Sequence, residues 1–269
     1  MGRGALYQSW VAGTVVLAGA IASAEDFHVE SRVFSAGETK PVIQTTTLFY
    51  KGVVYDFMKD PNGGKDPEAT IFDPAHSRCV VLDPQRKICT ELSLEQVQTF
   101  SKELRLEAAA HQDPLLNFLS NPQFTEKSEG DELEFTSSWM VYRLKTTPAK
   151  SPEIAHQYAE FSFWLGQLNV MLNPASLPPF GRIAVSEKLE QRKLLPTEVF
   201  MTISPKGPTQ KLTLRAEHHF QWTIRDSDRK LVDETHKQLA SFRQVSLKEY
   251  NSQRAVGVAQ APQDKTKKK

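Results

Sequence analysis

Residues 68–92 read EATIFDPAHSRCVVLDPQRKICTEL, in which two Asp-Pro steps separate three short apolar runs. An aspartate that opens a turn can bond to the backbone two residues further on, and the proline after it presets the φ angle of the next position. The runs are rich in β-branched residues, which are typical of strands. This stretch therefore predicts an antiparallel meander with strands at 68–72, 78–82 and 87–92.

The same pattern extends toward the N-terminus. Apolar or β-branched residues at 27–34, 42–49 and 53–58 predict three more strands, because they alternate between breaks of turn type. Asn62-Gly63-Gly64 predicts a loop, since glycine tolerates positive φ angles at little cost.

Helices follow the meander. The tetrapeptide Ser93-Leu94-Glu95-Gln96 is a capping box, and one face of residues 94–110 is apolar. We expect this helix to lie on the sheet. A second helix begins at Ser151, with Pro152 in the first turn, where its missing N–H costs nothing. Its apolar stripe is wide, which is typical of a helix that is mostly covered or that lines a cavity.

The rest of the chain mixes both kinds of element. Its pattern predicts a short helix at 114–119, a strand at 133–144, a helix at 183–195 that Pro196 ends, a hairpin of 198–203 with 211–224, and a last helix at 228–245. Strands and helices that each have an apolar face predict the α+β class. We expect a single domain over residues 25–250.

The N-terminus has the features of a secretory signal peptide. Arg3 precedes an apolar run at 11–22, and Ala22-Ser23-Ala24 is a small-x-small cleavage site. The run is about a dozen residues long, whereas a membrane-spanning helix needs about 20. We expect cleavage after Ala24, without acylation at this site because no cysteine lies near it. The protein is thus predicted to be exported, to the periplasm or outside the cell.

The charges of the chain are balanced, with 33 Lys and Arg against 32 Asp and Glu. This balance predicts no broad attraction to nucleic acid. The exception is the C-terminus, residues 251–269, which is rich in Gln, Ala and Lys and has no aromatic residue. Its composition predicts a disordered tail, and its lysines would allow weak contact with an anionic surface.

The chain has two cysteines, Cys79 and Cys89, in successive strands of the predicted meander. In an oxidising compartment an even pair at hairpin spacing favours a disulfide. The alternative is two buried thiols, because a one-residue change of register sends one side chain to the other face of the sheet. Their spacing is that of neither a zinc site nor a redox motif.

Motifs of catalysis or cofactor binding are absent from the sequence. His218 and His219 point to opposite faces of a predicted strand and cannot share a metal ion. Asp73 and Asp83 are interpreted as turn formers, and no Gly-x-Ser-x-Gly sequence is present. We therefore predict no catalytic residue, no metal site and no cofactor. The sequence favours a binding protein over an enzyme, with a hydrolase of unrecognised site as the least favoured class.

The meander also carries a family resemblance. The segments ATIFD (69–73), VVLDP (80–84) and ICTEL (88–92), followed by a helix in an exported chain, resemble the LolA/LolB-type lipoprotein-carrier superfamily. The similarity covers mainly residues 27–110 and, more loosely, 196–250. It implies an incomplete antiparallel β-barrel, in which helices pack on the concave face of a curved sheet. It also implies a hydrophobic cleft between sheet and helices that binds acyl chains or other apolar ligands.

Aromatic and aliphatic residues of the inner sheet face and the covering helix would line the implied cleft. The candidates are Phe49, Tyr55, Phe57, Trp139, Phe161, Trp164 and Leu168. The alternative for each is ordinary core packing, since large cavities are few in any protein. The favoured function is non-enzymatic binding of a lipid or a lipidated partner such as a lipoprotein. The alternative is a structural or interaction module of the cell envelope with a packed interior and no ligand.

Overall fold

The structure is a computed structural model that describes residues 25–59, 66–174, 176–204 and 211–252. Three sequence predictions lie outside these ranges: the signal peptide at 1–24, the loop at Asn62-Gly63-Gly64 and the tail from residue 253 onward.

A large antiparallel sheet dominates the described residues. Its strands are β1 (Phe27–Ser35), β2 (Ile43–Tyr50), β3 (Val53–Lys59), β4 (Glu68–Asp73), β5 (Arg78–Asp83), β6 (Ile88–Ser93), β7 (Thr125–Glu129), β8 (Glu132–Thr136), β9 (Met140–Pro148), β10 (Leu194–Ile203), β11 (Leu212–Gln221) and β12 (Arg243–Gln244). Their order in the sheet is β12-β6-β5-β4-β3-β2-β1-β11-β10-β9-β8-β7. Of these twelve described strands, only the short β12 runs parallel to its neighbour, β6. The sheet is curved and unclosed, which confirms the predicted half-barrel of the α+β class.

Six α-helices accompany the sheet within the described ranges. They are α1 (Leu94–Ala110), α2 (Pro114–Ser120), α3 (Pro152–Leu172), α4 (Phe180–Gln191), α5 (Asp226–Ser241) and α6 (Leu247–Ser252). None of these helices is both long enough and apolar enough to cross a bilayer. Asn251 and Ser252, which were predicted to belong to the disordered tail, are the last residues of α6.

The local signals of the meander are confirmed. The carboxylate of Asp73 accepts a hydrogen bond from the backbone N–H of His76, and that of Asp83 accepts one from Arg86. Ser93 caps α1 through a complete capping box. Short-range hydrogen bonds between neighbouring residues fix these elements, so the sequence alone could predict them.

The predicted strand at 133–144 is wrong in one respect, because it is a hairpin. Ser137 interrupts it: its hydroxyl oxygen accepts hydrogen bonds from the backbone N–H groups of Trp139 and Met140. This turn separates β8 from β9. The edge strand β7, which pairs with β8, was not predicted, because four of its five residues are exposed and it has no apolar face.

The predicted helix at 183–195 begins and ends earlier, at Phe180 and Gln191. Pro196 does not end the helix but lies inside β10, at a register irregularity between Pro196 and Glu198. A bulge of this kind tolerates a residue without an N–H. Likewise, the last predicted helix ends at Ser241 and not at residue 245.

Both faces of the sheet are covered over β3 to β5. On the concave face, α3 contributes Trp164 and Leu168 to a core cluster that includes Phe27 and Phe72. On the opposite, convex face, α5 covers a second cluster. The convex cluster includes Leu48, Tyr55, Phe57, Ile71, Val80, Leu82 and Val232. The helices are therefore not confined to the concave face, which adds one layer to the predicted architecture.

The two edge strands of the sheet are polar or very short, unlike the strands at its centre. At one end, β7 has the sequence TEKSE, and four of its five residues are exposed. At the other end, β12 is only two residues long, and its neighbour β6 is packed by α6. In the part of the sheet that the structure describes, neither edge is a long apolar strand.

The predicted disulfide does not form, because Cys79 and Cys89 lie on opposite faces of the sheet. Cys79 is directly opposite Leu92, whereas Cys89 is directly opposite Leu82. Side chains alternate along a strand, so Cys79 belongs to the concave core and Cys89 to the convex cluster. Both thiols are free and buried, which corrects the expectation from hairpin spacing.

These thiols are expected to resist alkylation in the folded protein. Burial raises the pKa of Cys79 to about 12 and also raises that of Cys89, and only the thiolate is a good nucleophile. Iodoacetamide should therefore modify neither cysteine in native buffer and both in denaturant, without prior reduction. If mass spectrometry showed labelling in denaturant only after reduction, the free-thiol assignment would be wrong.

Candidate ligand-binding cavity

A cavity of about 450 Å³ lies between the concave face and the helices α3 and α4. Its wall consists of inward-facing residues from β1 to β5 and from β9 to β11, together with one face of each helix. The volume is within the range of small-molecule sites, roughly 300 to 1,000 Å³. Most of the wall is apolar, through residues that include Val29, Val33, Leu144, Phe161, Leu165, Val199 and Leu214.

The cavity exists because side chains on the concave face change size along the strands. At one end, Phe27 stacks on Phe49 with ring centroids 4.0 Å apart, and Phe49 meets Phe161 edge to face at 5.7 Å. Further along the same two strands, the inward positions carry the smaller Ser31 and Thr45. Aromatic rings thus fill one end of the half-barrel, and small side chains leave the rest open.

A polar row crosses this apolar surface. Thr47, Asp56 and Thr70 are directly opposite one another on β2, β3 and β4, and all three line the cavity. The Thr47 hydroxyl donates a hydrogen bond of 2.6 Å to the carboxylate of Asp56. Burial raises the pKa of Asp56 to about 6, although this hydrogen bond and the positive charge of Arg182 act against the rise. Asp56 is therefore a carboxyl group that titrates close to neutral pH.

A second polar pair lies on β1 and β11. Ser31 and His218 are cross-strand partners, and the Ser31 hydroxyl lies 2.8 Å from Nδ1 of His218. Burial, helped by the charges of Arg182 and His219, lowers the pKa of His218 to about 4. The imidazole is thus neutral at physiological pH. His219, the next residue on the strand, points away from the cavity. Within the described ranges, no three His, Cys, Asp or Glu residues are placed to hold a metal ion.

The positive charge in this region comes from Arg182 on α4. Its Nη2 donates a hydrogen bond of 3.2 Å to the Ser162 hydroxyl of α3. The two helices approach closely, since a Cβ atom at Gly166 would lie 3.2 Å from the ring of Pro179. A Cβ atom at Gly181 would lie 3.5 Å from the Tyr142 hydroxyl. The first turn of α4 thereby brings Arg182 to the wall of the cavity.

Two tyrosines supply further hydroxyl groups to the wall, Tyr142 on β9 and Tyr158 on α3. Burial raises the pKa of both phenols, that of Tyr158 to about 12, while the charge of Arg182 acts in the opposite direction. Both therefore remain protonated at neutral pH. Each can donate a hydrogen bond to a bound acceptor.

Of the seven residues predicted to line a cleft, Phe161 is the one that lines this cavity. Phe49, Trp164 and Leu168 point to the same side of the sheet but are packed in the concave core. Trp164, for example, is stacked on Phe72 at 5.9 Å. Trp164 and Leu168 are thus ordinary core residues, whereas Phe49 also lines a second, smaller cavity of about 170 Å³.

Three other predicted residues are elsewhere. Tyr55 and Phe57 point to the convex face, where α5 covers them, and the Tyr55 hydroxyl lies 3.0 Å from Nε2 of His236. Their assignment to the cleft is wrong because the inward positions of β3 are Val54, Asp56 and Met58. Trp139 lies in the turn between β8 and β9, against a third cluster formed with α2 and α4.

Sequence reasoning missed the polar residues of the cavity, above all Asp56 and Arg182. A signal for Asp56 exists: it is the single charged residue in the apolar run VVYDFM of β3. Assigning it to the cavity requires the register with β2 and β4, which the sequence does not state. No comparable signal marks Arg182, because charged residues are common on helix surfaces.

Comparisons with known proteins add little to this geometry. No protein-family model matches the chain, and no curated protein matches it either. A solved structure of a LolA superfamily protein from Nitrosomonas europaea is similar with 11% sequence identity, over 76% of this chain and 89% of that chain, at a TM-score of 0.29. A likeness of this degree carries neither a ligand nor a residue role to the present chain.

Proposed function

We propose that this protein binds an apolar ligand, a lipid or the acyl chain of a lipidated partner, in the cavity between the sheet and α3 and α4. The observation that carries the proposal is a mostly apolar cavity of about 450 Å³ in the concave face. An empty cavity of this size loses the packing contacts that side chains would make in its place. At one end of the same concave face, aromatic side chains do fill the corresponding space. A packed interaction module would have no use for that space.

The proposal includes export and a single domain. Residues 1–24 have the arrangement of a signal peptide, and we take residues 25–250 as the ligand-binding domain. The ligand would then be met outside the cytoplasm, in the periplasm or beyond. The lysine-rich tail would favour encounters with anionic membranes, where each lysine near the surface contributes about 1 kcal/mol.

The proposed role is binding without catalysis. Ser31 and His218 are hydrogen-bonded in the way that a nucleophile and its base would be. However, a pKa of about 4 makes His218 a weak base at neutral pH, and in the described part of the chain no carboxylate is paired with its ring. The pair is better explained as a cross-strand contact that satisfies two polar groups in an apolar wall.

A bulky side chain inside the cavity is expected to weaken ligand binding. Ala216 on β11 faces the cavity, so Ala216→Trp should weaken the binding of a dansyl-labelled fatty acid by at least about tenfold, a loss of about 1.4 kcal/mol. Titration of fluorescence measures the effect. Native mass spectrometry of the purified protein would show whether co-purifying lipid is lost in parallel.

His219→Trp is the matched control. This residue is exposed on the other face of the same strand, so the variant adds the same ring without entering the cavity and should bind like the wild type. Equal binding by the wild type and Ala216→Trp, with both folded by circular dichroism, would place the ligand elsewhere and contradict the proposal.

A further inference from the structure

The cavity is amphipathic, and its polar part contains a cation. Among the described residues of the wall, Arg182 carries the permanent positive charge. It is exposed to solvent, although much of the surrounding wall is buried. Water can therefore solvate its guanidinium in the empty cavity, and an anion that enters the cavity can replace that water.

The protein itself uses little of the binding capacity of Arg182. A guanidinium has five N–H donors in a planar fork, and one of them is donated to Ser162. Among the described residues, Arg182 forms no ion pair with a carboxylate. The remaining donors are therefore available to an acceptor that enters the cavity, and their geometry suits the two oxygens of a carboxylate or phosphate.

The acids of the wall do not satisfy this cation. Asp56 already accepts the hydroxyl of Thr47, and Arg182 acts on it only through space, by lowering its pKa, without a direct ion pair. Glu68 belongs to the neighbouring cross-strand row, opposite Met58 of β3. Arg182 thus lies beside hydroxyl donors, those of Ser162, Tyr142 and Tyr158, which would also favour a bound anion.

An apolar path begins at the same place. Val185, Ser186 and Leu189 follow Arg182 on α4 at spacings of three, four and seven residues, so the four lie on one face of the helix, and all line the cavity. Phe161 and Leu165 of α3 continue this surface. A bound molecule can therefore have its charged group at Arg182 and its hydrocarbon chain along these side chains.

We infer that the ligand is an anionic amphiphile, whose carboxylate or phosphate headgroup is bound by Arg182 and Ser162 while its hydrocarbon chain occupies the apolar part of the cavity. This inference rests on the proposed function and specifies its ligand class. A carboxylate or phosphate can accept paired, charge-assisted hydrogen bonds from Arg182, whereas the hydroxyl of a neutral lipid offers a single uncharged acceptor, and this difference favours the anion.

Matched ligands and variants test the inference. The ligands are palmitate, hexadecyl phosphate and hexadecanol, which share a 16-carbon chain and differ in the headgroup. The variants are Arg182→Gln and Lys188→Gln, which remove the same charge from the same helix, but Lys188 is exposed and does not line the cavity. Binding is measured by displacement of a neutral fluorescent lipid from the purified protein.

Arg182→Gln should weaken the binding of the anionic ligands by about 10-fold or more, as expected for a lost charge-assisted hydrogen bond, and leave hexadecanol unchanged. Lys188→Gln should change none of them. A loss confined to palmitate or to hexadecyl phosphate would identify the headgroup as carboxylate or phosphate. Arg182→Lys, which keeps the charge without the planar fork, should retain part of the anion preference and serves as a second variant if Arg182→Gln folds poorly.

Two outcomes would overturn the inference, and they are distinguishable. If the wild type binds hexadecanol as tightly as palmitate and Arg182→Gln alters neither, the headgroup assignment is wrong while the proposed function stands. If the wild type binds none of the three ligands and no fluorescent lipid, the proposed function itself fails.

Discussion

Trp164→Ala is expected to lower the free energy of unfolding by about 3 to 5 kcal/mol, the cost typical of removing a large aromatic side chain from a packed core. Trp164 is 6% exposed and contacts Phe72 at 5.9 Å and Phe163 at 5.2 Å between ring centroids. Because it is surrounded by core and does not line the cavity, its removal leaves a new void. Urea denaturation monitored by far-UV circular dichroism measures the loss.

Leu165→Ala provides the comparison on the same helix. Leu165 is half-buried and faces the cavity, so its truncation enlarges a space that already exists and should cost only about 1 to 2 kcal/mol. The same variant should alter lipid binding, since it changes the wall. Similar losses of stability for Trp164→Ala and Leu165→Ala would mean that the boundary between core and cavity is misplaced.

Asp56→Asn is expected to stabilise the protein at pH 8 by roughly 1 to 3 kcal/mol. The folded protein binds a proton at Asp56 with a pKa of about 6, against an ordinary value of 3.8. Between these two pH values the folded state holds a proton that the unfolded chain has released. The contribution of this group to stability is therefore largest below pH 4 and is lost as the pH rises through 6.

The asparagine variant removes that dependence. Its amide oxygen can still accept the Thr47 hydroxyl, so the variant should match the wild type near pH 4 and exceed it increasingly up to pH 8. Urea denaturation at both pH values measures the difference. Asp233→Asn, at an exposed position of α5, is the control and should show no such divergence. Parallel pH profiles for Asp56→Asn and the wild type would contradict the assignment.

The loss of stability that ionised Asp56 causes is relevant to the function of the cavity. A charged carboxyl group in an apolar wall destabilises the fold, and residues that do so are typically found at functional sites. If an anionic ligand binds at Arg182, protonation of Asp56 below pH 6 would remove a repulsive charge from the same cavity. A lower pH would then increase both the free energy of unfolding and the affinity for an anionic ligand.

The sequence predicted the fold where local signals define it. The Asp-Pro turns, the capping box at Ser93 and the proline at the start of α3 depend on neighbouring residues, and all of them are confirmed. The hairpin at Ser137 was missed because a two-serine turn is a weaker signal than Asp-Pro. Pro196 was misinterpreted because the bulge that accommodates it depends on β9, a strand that precedes it by some 50 residues.

The site was less predictable because it depends on register and on the order of layers. Tyr55 and Phe57 were assigned to the cleft as aromatic residues of a strand with one buried face, yet α5 buries the other face as well. Cys79 and Cys89 were considered as a pair because of their hairpin spacing, and only the register shows that they lie on opposite faces. Once the cross-strand partners are known, Asp56 and Ser31 fall on the concave face without further assumption.

The edges of the sheet bear on how the protein behaves at high concentration. An unpaired strand is a template for the addition of another strand, and charged side chains or very short strands at the edge oppose that pairing. β7 presents Glu126, Lys127 and Glu129, and β12 ends after two residues. Copies of this chain should therefore resist joining edge to edge into fibrils.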